Sequence, residues 1–174
     1  MKVRAARAAS AEGSWWRFSA GVRLGRTSSV RDTGREMTED PTTPDLGELV
    51  RKQTEAANRR DLDAWANAFA EDATFDGRTL GDHYEGRSAI RSFVEAWWDI
   101  YEELVSELEE VCDLGNGVVF AVVVQNGRPA GSAGHVRQHE GWVIVWVGGL
   151  IASIAVYEVE EGRAAAERLV EERG

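Results

Sequence analysis

The apolar residues between positions 45 and 101 recur at helical spacing in three segments. Asp45 is placed to cap a first helix, whose predicted inner face consists of Leu46, Leu49, Val50, Gln53, Ala56 and Ala57. Asp61 can cap a second, short helix, which carries Leu62, Trp65 and Phe69. A third helix, from about Arg87 to Tyr101, presents one wide apolar stripe made of Ile90, Phe93, Val94, Trp97 and Tyr101. Between the second and third helices, the pattern predicts short strands within 70–77 and near 83–85.

After the third helix the pattern changes to strands. Residues 105–114 mix apolar and acidic positions, 118–124 is a long β-branched run, and 135–147 and 150–157 complete a four-strand antiparallel meander. Asn116-Gly117 and Gly148-Gly149 are signals for tight turns between these strands. A last helix begins at about Val159, with Ala165, Leu169 and Val170 on one side. Helices that are segregated from strands in this way predict an α+β domain.

Two of the predicted strands are apolar on both of their faces, namely residues 118–124 and 142–147. An antiparallel sheet that is covered on one side only should alternate apolar and polar residues. Both faces of this sheet must therefore be covered, and the helices can cover one of them. A second copy of the sheet would cover the other, which predicts a homodimer packed through the sheet. The alternative is that the N-terminal segment folds over that face.

Residues 1–44 are predicted to be a disordered N-terminal extension, and 45–174 to be the folded domain. The first 36 residues show no sustained period of 2 or 3.6 and lack the continuous apolar region of a signal peptide. Met37 is a candidate true start, because MTEDPTTPDLGEL is typical of an ordinary N-terminus. Trp15 and Trp16 argue against that start, since paired tryptophans are costly to leave in water.

The charge of the chain is divided unevenly and limits its partners. Residues 37–174 hold twelve Lys or Arg and twenty-seven Asp or Glu, a net charge of −15, whereas residues 1–36 hold eight and three, a net charge of +5. An acidic domain of this kind repels a phosphate backbone and an anionic membrane surface, which argues against nucleic acid or membrane as a partner. The single cysteine, Cys112, cannot form an internal disulfide, so a reducing, cytoplasmic location is expected.

Three stretches of the chain carry a family resemblance: AANRRDLDAWANAFAEDATFDG, YEGRSAIRSFVEAW and WVIVWVGGLIASIAVYE. From residue 47 onward the chain resembles the nuclear transport factor 2-like superfamily, and within it the SnoaL-like group. The resemblance implies a cone-shaped, curved antiparallel sheet wrapped over three N-terminal helices, with a C-terminal helix and a pocket inside the cone. Relatives include ketosteroid isomerases, polyketide cyclases, dehydratases and non-enzymatic binding domains, so the resemblance leaves the function open.

The resemblance to ketosteroid isomerases can be tested position by position. In that comparison the catalytic base of the first strand falls at Gly77, and the oxyanion-binding tyrosine of the first helix falls at Gln53. Isomerisation needs both a base and a donor to the dienolate oxygen, so this activity is not expected here. The neighbouring Asp76 should point away from the pocket, because side chains alternate along a strand, unless the register shifts by one residue.

Candidate catalytic residues are Asp76, Tyr84 and His83, a carboxylate and a pair at the expected rim of the pocket that can exchange protons. The alternative is that each is an ordinary surface residue, as most carboxylates and most loop side chains are. Aromatic walls suit a small apolar or aromatic molecule, because they bury much area at fixed shape. The predicted ligand-binding residues are Gln53, Trp65, Phe69, Phe93, Trp97, Tyr101, Trp142 and Trp146.

No metal and no cofactor are expected from the sequence. His135 and His139 are four residues apart on a predicted strand, which separates them by roughly 13 Å, too far to share one ion. No nucleophile elbow, phosphate-binding loop or dinucleotide fingerprint is present. Three functions therefore stay open: a domain that binds a small molecule, a cofactor-independent acid–base enzyme of the cyclase, isomerase or dehydratase type, and a non-catalytic dimerisation domain.

Overall fold

The structure is a computed structural model that describes residues 45–79 and 81–174. The predicted disordered extension, the candidate start at Met37 and the tryptophan pair at 15 and 16 lie outside the described residues. The helices are α1 (Leu46–Asn58), α2 (Leu62–Asn67), α3 (Arg87–Asp99) and α4 (Val159–Arg173). The strands are β1 (Phe69–Gly77), β2 (Asp82–Glu85), β3 (Tyr101–Gly115), β4 (Val118–Pro129), β5 (Val136–Val147) and β6 (Leu150–Tyr157). The domain is thus α+β, as predicted.

The six strands form one sheet in the order β2-β1-β6-β5-β4-β3. The expected four-strand meander, β3 to β6, is antiparallel throughout, but β1 runs parallel to β6. The sheet is therefore mixed, and it is not strongly curled. This corrects the expectation of a curved, purely antiparallel sheet. Strand β6 is thus flanked by β1 on one side and by β5 on the other.

Local signals at the helix starts and hairpin turns are confirmed. The Asp45 carboxylate accepts a hydrogen bond from the Glu48 amide at 3.1 Å, and the Asp61 carboxylate accepts one from the Ala64 amide at 3.0 Å. Asn116 and Gly117 have φ angles of 53° and 76°, as a type I′ turn between β3 and β4 requires.

Two aromatic residues that helical spacing assigned to helices begin strands instead. Phe69 is the first residue of β1, where it pairs with Ile151 of β6, although its ring still packs 4.6 Å from that of Trp65. Tyr101 opens β3 and pairs with Pro129, and Arg60 donates a hydrogen bond to its carbonyl at 2.6 Å. In both places sheet pairing supplies the backbone with partners that a longer helix would have had to provide.

The main core lies between α1, α2 and α3 and one face of the sheet, here called the inner face. Alternate residues of β4, namely Val119, Ala121 and Val123, point to this side. Opposite them are helix residues such as Val50, Ile90 and Val94, all at most 5% exposed. The predicted inward faces of α1 and α3 are therefore the ones that the sheet covers.

The outer face of the sheet is covered by α4. The other alternate residues of β4, Val118, Phe120 and Val122, form a second core with Val143 and Ala166. Each of these side chains is at most 4% exposed. The chain's own last helix thus covers part of the face for which a second copy of the sheet, or the N-terminal segment, was expected, and the homodimer stays a prediction.

Close docking of α4 depends on two glycines and one arginine. A Cβ atom at Gly162 would lie 3.0 Å from the carbonyl oxygen of Gly141 on β5, so the helix backbone rests almost directly on the strand. Arg163 binds Glu110 of β3 through two nitrogens, at 3.0 and 2.6 Å, and its guanidinium lies 4.6 Å above the ring of Phe120. These contacts fasten the helix across β3, β4 and β5.

Candidate functional site

A cavity lies between α3 and the inner face of the sheet. Its volume is about 80 Å³. The side chains that line it are mostly aromatic and aliphatic, with a few polar groups among them, which is the usual character of a small-molecule site. We call it the Glu140 cavity; its lining residues are Ala57, Trp65, Phe75, Gly77, Thr79, Asp82, Phe93, Val94, Trp97, Trp98, Leu104, Ser106, Gln125, Glu140, Trp142 and Val156.

Glu140 brings a carboxylate to this cavity from the middle of β5. It lies opposite Val123 of β4 and is half-buried. Its Oε2 accepts a hydrogen bond from the indole nitrogen of Trp142 at 2.9 Å. Loss of water raises the pKa of Glu140, the negative charge of Glu158 raises it further, and the Trp142 hydrogen bond opposes both. A carboxyl group whose pKa is raised in this way holds its proton more tightly than an exposed glutamate, which suits a group that exchanges protons with a ligand.

Polar groups of β3 and β4 lie beside Glu140 on the same face of the sheet. Ser106 pairs with Gln125 across the two strands, and both line the cavity. The side-chain oxygen of Gln125 is buried, and no group in the described part of the chain donates a hydrogen bond to it. A buried acceptor without a donor costs free energy, so this oxygen is a ready partner for a ligand that carries N–H or O–H groups.

Tyr101 lies close to this polar group, although it does not line the cavity. Burial, and then the charge of Glu140, raise the pKa of the Tyr101 phenol. Its ring packs 5.4 Å from that of Trp97 and lies flat on β4 at Gly127, where a Cβ atom would come within 2.7 Å of the ring. Gly127 is thus what allows the tyrosine to sit against the sheet.

A smaller cavity of about 30 Å³ lies between α1 and the inner face. It shares Ala57, Trp65, Ser106 and Trp142 with the Glu140 cavity, and it is also lined by Gln53 and Trp146. The amide nitrogen of Gln53 donates a hydrogen bond to the backbone carbonyl of Trp65 at 2.9 Å. This hydrogen bond links α1 to α2.

The eight predicted ligand-binding residues divide among three locations. Trp65, Phe93, Trp97 and Trp142 line the Glu140 cavity. Gln53 and Trp146 line only the smaller cavity. Phe69 is fully buried in the main core, and Tyr101 is buried behind Trp97, so neither lines a cavity wall.

The candidate catalytic residues Asp76, His83 and Tyr84 lie near the edge formed by β1 and β2. Gly77 lines the Glu140 cavity, whereas Asp76 faces away from it and pairs with Arg78 at 3.0 Å. Side-chain alternation in β1 therefore follows the predicted register.

The two rim residues face different surroundings. His83 is exposed and lies 3.2 Å from Glu85. The Tyr84 ring stacks on Phe93 at 4.2 Å, and burial, followed by the charge of Asp82, raises the pKa of its phenol.

Sequence reasoning missed Glu140 as a functional residue. The signal was present, because Glu140 precedes Trp142 by two residues on a strand whose inward positions are otherwise apolar, in HEGWVIVWV. Residues two apart share a face, so an acid at 140 had to enter the same space as the predicted pocket tryptophan.

The histidines of the meander do not form a metal centre. His139 lies 2.7 Å from Glu109 on the exposed side of the sheet, and His135 precedes β5. Among residues 45–79 and 81–174, no three His, Cys, Asp or Glu side chains come together as an ion would require. None of the helices in that part of the chain is long and apolar enough to cross a membrane.

Comparison with known proteins places this architecture in a family. A family model described as a SnoaL-like domain matches residues 50–167. No curated protein matches the chain.

Solved structures share the fold at low sequence identity. A hypothetical protein from Catenulispora acidiphila, with a ketosteroid isomerase-like fold and in complex with trimethylamine, is 19% identical, with a TM-score of 0.59 over 69% of this chain and 92% of its own. A nuclear transport factor 2-like protein of unknown function from Burkholderia pseudomallei is 16% identical, with a TM-score of 0.58 over 68% and 94%. A protein from Sinorhizobium meliloti, provisionally named a polyketide cyclase, is 23% identical, with a TM-score of 0.54 over 63% and 94%.

Proposed function

The chain belongs to the SnoaL-like domain family, and from that premise we propose that it binds a small apolar or aromatic molecule in the Glu140 cavity. The observation that carries the proposal is a half-buried carboxylate enclosed by aromatic side chains. Trp97, Trp142 and Phe93 supply wall area, and Glu140 and Gln125 supply polar groups that can fix orientation.

The burial of polar groups in the Glu140 cavity favours the binding of a ligand there. Glu140 has lost water, and the buried oxygen of Gln125 has no donor in the described residues. A ligand that supplies a donor to these groups offsets a cost that the folded protein already bears. The aromatic walls add the favourable burial of apolar surface, at about 25 cal/mol per Å².

Native mass spectrometry of the purified full chain tests this proposal. We expect the wild-type protein to carry a small bound mass and Ser106→Leu to lack it, because a leucine at 106 fills the cavity. The backbone of Ser106 keeps its two hydrogen bonds to Asn58, at 2.8 and 2.9 Å, whichever side chain is present. Ser88→Leu, at an exposed position of α3, is the matched control and should retain the bound mass. An equal bound mass in wild type and Ser106→Leu, or none in the wild type, contradicts the proposal.

A second candidate function is acid–base catalysis without a cofactor, favoured by the raised pKa of Glu140. In this version the Glu140 carboxylate removes a proton from a carbon next to a carbonyl group and later returns it. Deuterium exchange at the α-carbon of 2-tetralone in D₂O, followed by NMR, measures this step. We expect the wild type to accelerate exchange and Glu140→Gln not to. Glu171→Gln, at an exposed position near the end of α4, should behave as wild type. Equal rates for wild type and Glu140→Gln would exclude the enzyme reading.

Other expectations remain predictions beside these two. Asp76, His83 and Tyr84 stay candidates for chemistry at the β1–β2 edge, where Asp76 and His83 border a wider, more polar depression. A homodimer through the sheet, with or without a ligand, also stays a prediction. A partner subunit would have to use the part of the outer face beyond α4, around Val105, which is 48% exposed. The masses seen in the same native spectra separate monomer from dimer.

A further inference from the structure

The charged groups that line the Glu140 cavity are all of one sign. They are Glu140 and Asp82, and no Lys, Arg or His is among the described lining residues. Asp76, which faces away from the cavity, does have a cationic partner in Arg78 at 3.0 Å. The cavity therefore presents negative charge with no internal counter-ion in the described part of the chain.

The carboxylates of the cavity and its buried amide oxygen accept hydrogen bonds, whereas the hydroxyls of Ser106 and Thr79 can donate or accept. Glu140 accepts through its carboxylate, and the buried oxygen of Gln125 is an acceptor without a described donor. The indole N–H of Trp142 is already donated to Glu140. A ligand that brings donors and positive charge therefore matches the carboxylates and the unpartnered oxygen.

The apolar walls suit a cation as well. Aromatic rings carry negative charge on their faces, so a positive group close to them is attracted, and more strongly where water is excluded. Trp97, Trp142 and Phe93 line the same cavity as Glu140. An ammonium group held by the carboxylate would thus have aromatic surroundings for its carbon substituent.

We propose that the ligand of the Glu140 cavity is a small organic cation, a primary ammonium ion with an apolar or aromatic body, whose nitrogen donates to Glu140. This inference rests on the proposed binding function and deepens it by fixing the charge of the ligand. The cation supplies the counter-charge that Glu140 lacks, and its N–H groups supply donors to acceptors already removed from water. Anionic molecules of the same shape are excluded by the two carboxylates.

Three probes of one shape and different charge test the inference: benzylamine, benzyl alcohol and benzoate. Isothermal titration calorimetry of the full chain near neutral pH compares their affinities. We expect benzylammonium to bind about tenfold or more tightly than benzyl alcohol, because a hydrogen bond to a charged group is worth more than a neutral one. Benzoate should show no saturable binding. In Glu140→Gln the preference for the cation should fall to within about twofold, with the alcohol unaffected.

Control variants keep the outcome interpretable. Glu171→Gln replaces an exposed carboxylate near the end of α4 that does not line the cavity, and it should preserve the preference for the cation. Thermal melting establishes that each variant folds. If benzyl alcohol binds as tightly as benzylammonium to the wild type, the inferred charge is wrong while the binding function stands. If none of the three probes binds at millimolar concentration, the inference is overturned, and the native mass spectra decide the binding function separately.

Discussion

The contact between α4 and β5 predicts the effect of Gly162→Ala on stability. The added methyl group favours the helix but clashes with the backbone of β5. Gly162 lies in the first turns of α4 and faces the backbone of Gly141. The Cβ atom of Gly162→Ala would lie 3.0, 3.2 and 3.3 Å from the oxygen, carbonyl carbon and Cα of Gly141. All three are backbone atoms of a strand that is hydrogen-bonded on both sides. Because the strand cannot easily shift, the helix has to move to relieve the clash.

The size of each effect can be compared. Replacing glycine by alanine inside a helix stabilises it by about 0.8–1.0 kcal/mol, since alanine loses less backbone entropy on folding. Overpacking a closely packed contact costs about 1–3 kcal/mol. The steric cost should therefore equal or exceed the gain. We expect Gly162→Ala to be destabilised by about 0–2 kcal/mol relative to wild type.

Urea denaturation followed by circular dichroism measures the effect. The exposed neighbour Glu161 provides the reference, because Glu161→Ala and Glu161→Gly differ by the same methyl group in the same turn without facing the sheet. Alanine should be the more stable residue at 161, and not at 162. If alanine stabilises both positions equally, then α4 does not rest on Gly141, and our account of how the outer face is covered is wrong.

Three further perturbations probe other parts of the structure. Because loss of water raises the pKa of Glu140, the folded protein holds that proton to higher pH than the unfolded chain, and its stability falls as pH rises above about 4.3 towards the folded-state pKa. Glu140→Gln should therefore gain stability relative to wild type as the pH rises above about 4.3, and a difference that does not change with pH would count against this. Arg163→Ala should lower the free energy of unfolding, because it removes the ion pair with Glu110 and the cation–π contact with Phe120, and a double-mutant cycle with Glu110→Ala should show a favourable coupling between the two charges. Gly127→Ala should cost about 1–3 kcal/mol in urea denaturation by displacing the Tyr101 ring, and the cost should largely vanish in a Tyr101→Ala background.

Features set by neighbours in the sequence could be predicted, and features set by distant contacts could not. The caps at Asp45 and Asp61 and the Asn116-Gly117 turn depend on a few adjacent residues, and the structure has them where the pattern placed them. Phe69 and Tyr101 continue a helical pattern, but strands far along the chain compete for their backbone and draw both into the sheet.

The packing of α4 on the outer face and the burial of Glu140 also depend on contacts between residues that are distant in the sequence. Periodicity correctly required both faces of β4 to be covered, but it could not say that α4 would return across β5. The glycines at 141 and 162, which permit that return, are twenty-one residues apart and gave no local signal. Glu140 could have been placed in the pocket by its spacing from Trp142, yet its raised pKa depends on how tightly α3 and the sheet enclose it.

The titration of the Glu140 side-chain carboxyl tests the central claim most directly, because the proposed ligand site is built around this group. Carbon-13 NMR of labelled glutamate, with the signal assigned by its loss in Glu140→Gln, follows the midpoint in the free protein and with benzylamine. We predict a midpoint above those of the exposed glutamates in the free protein, and a lower midpoint once the cation is bound. A Glu140 signal that titrates with the exposed glutamates, and does not move when benzylamine is added, would contradict the account.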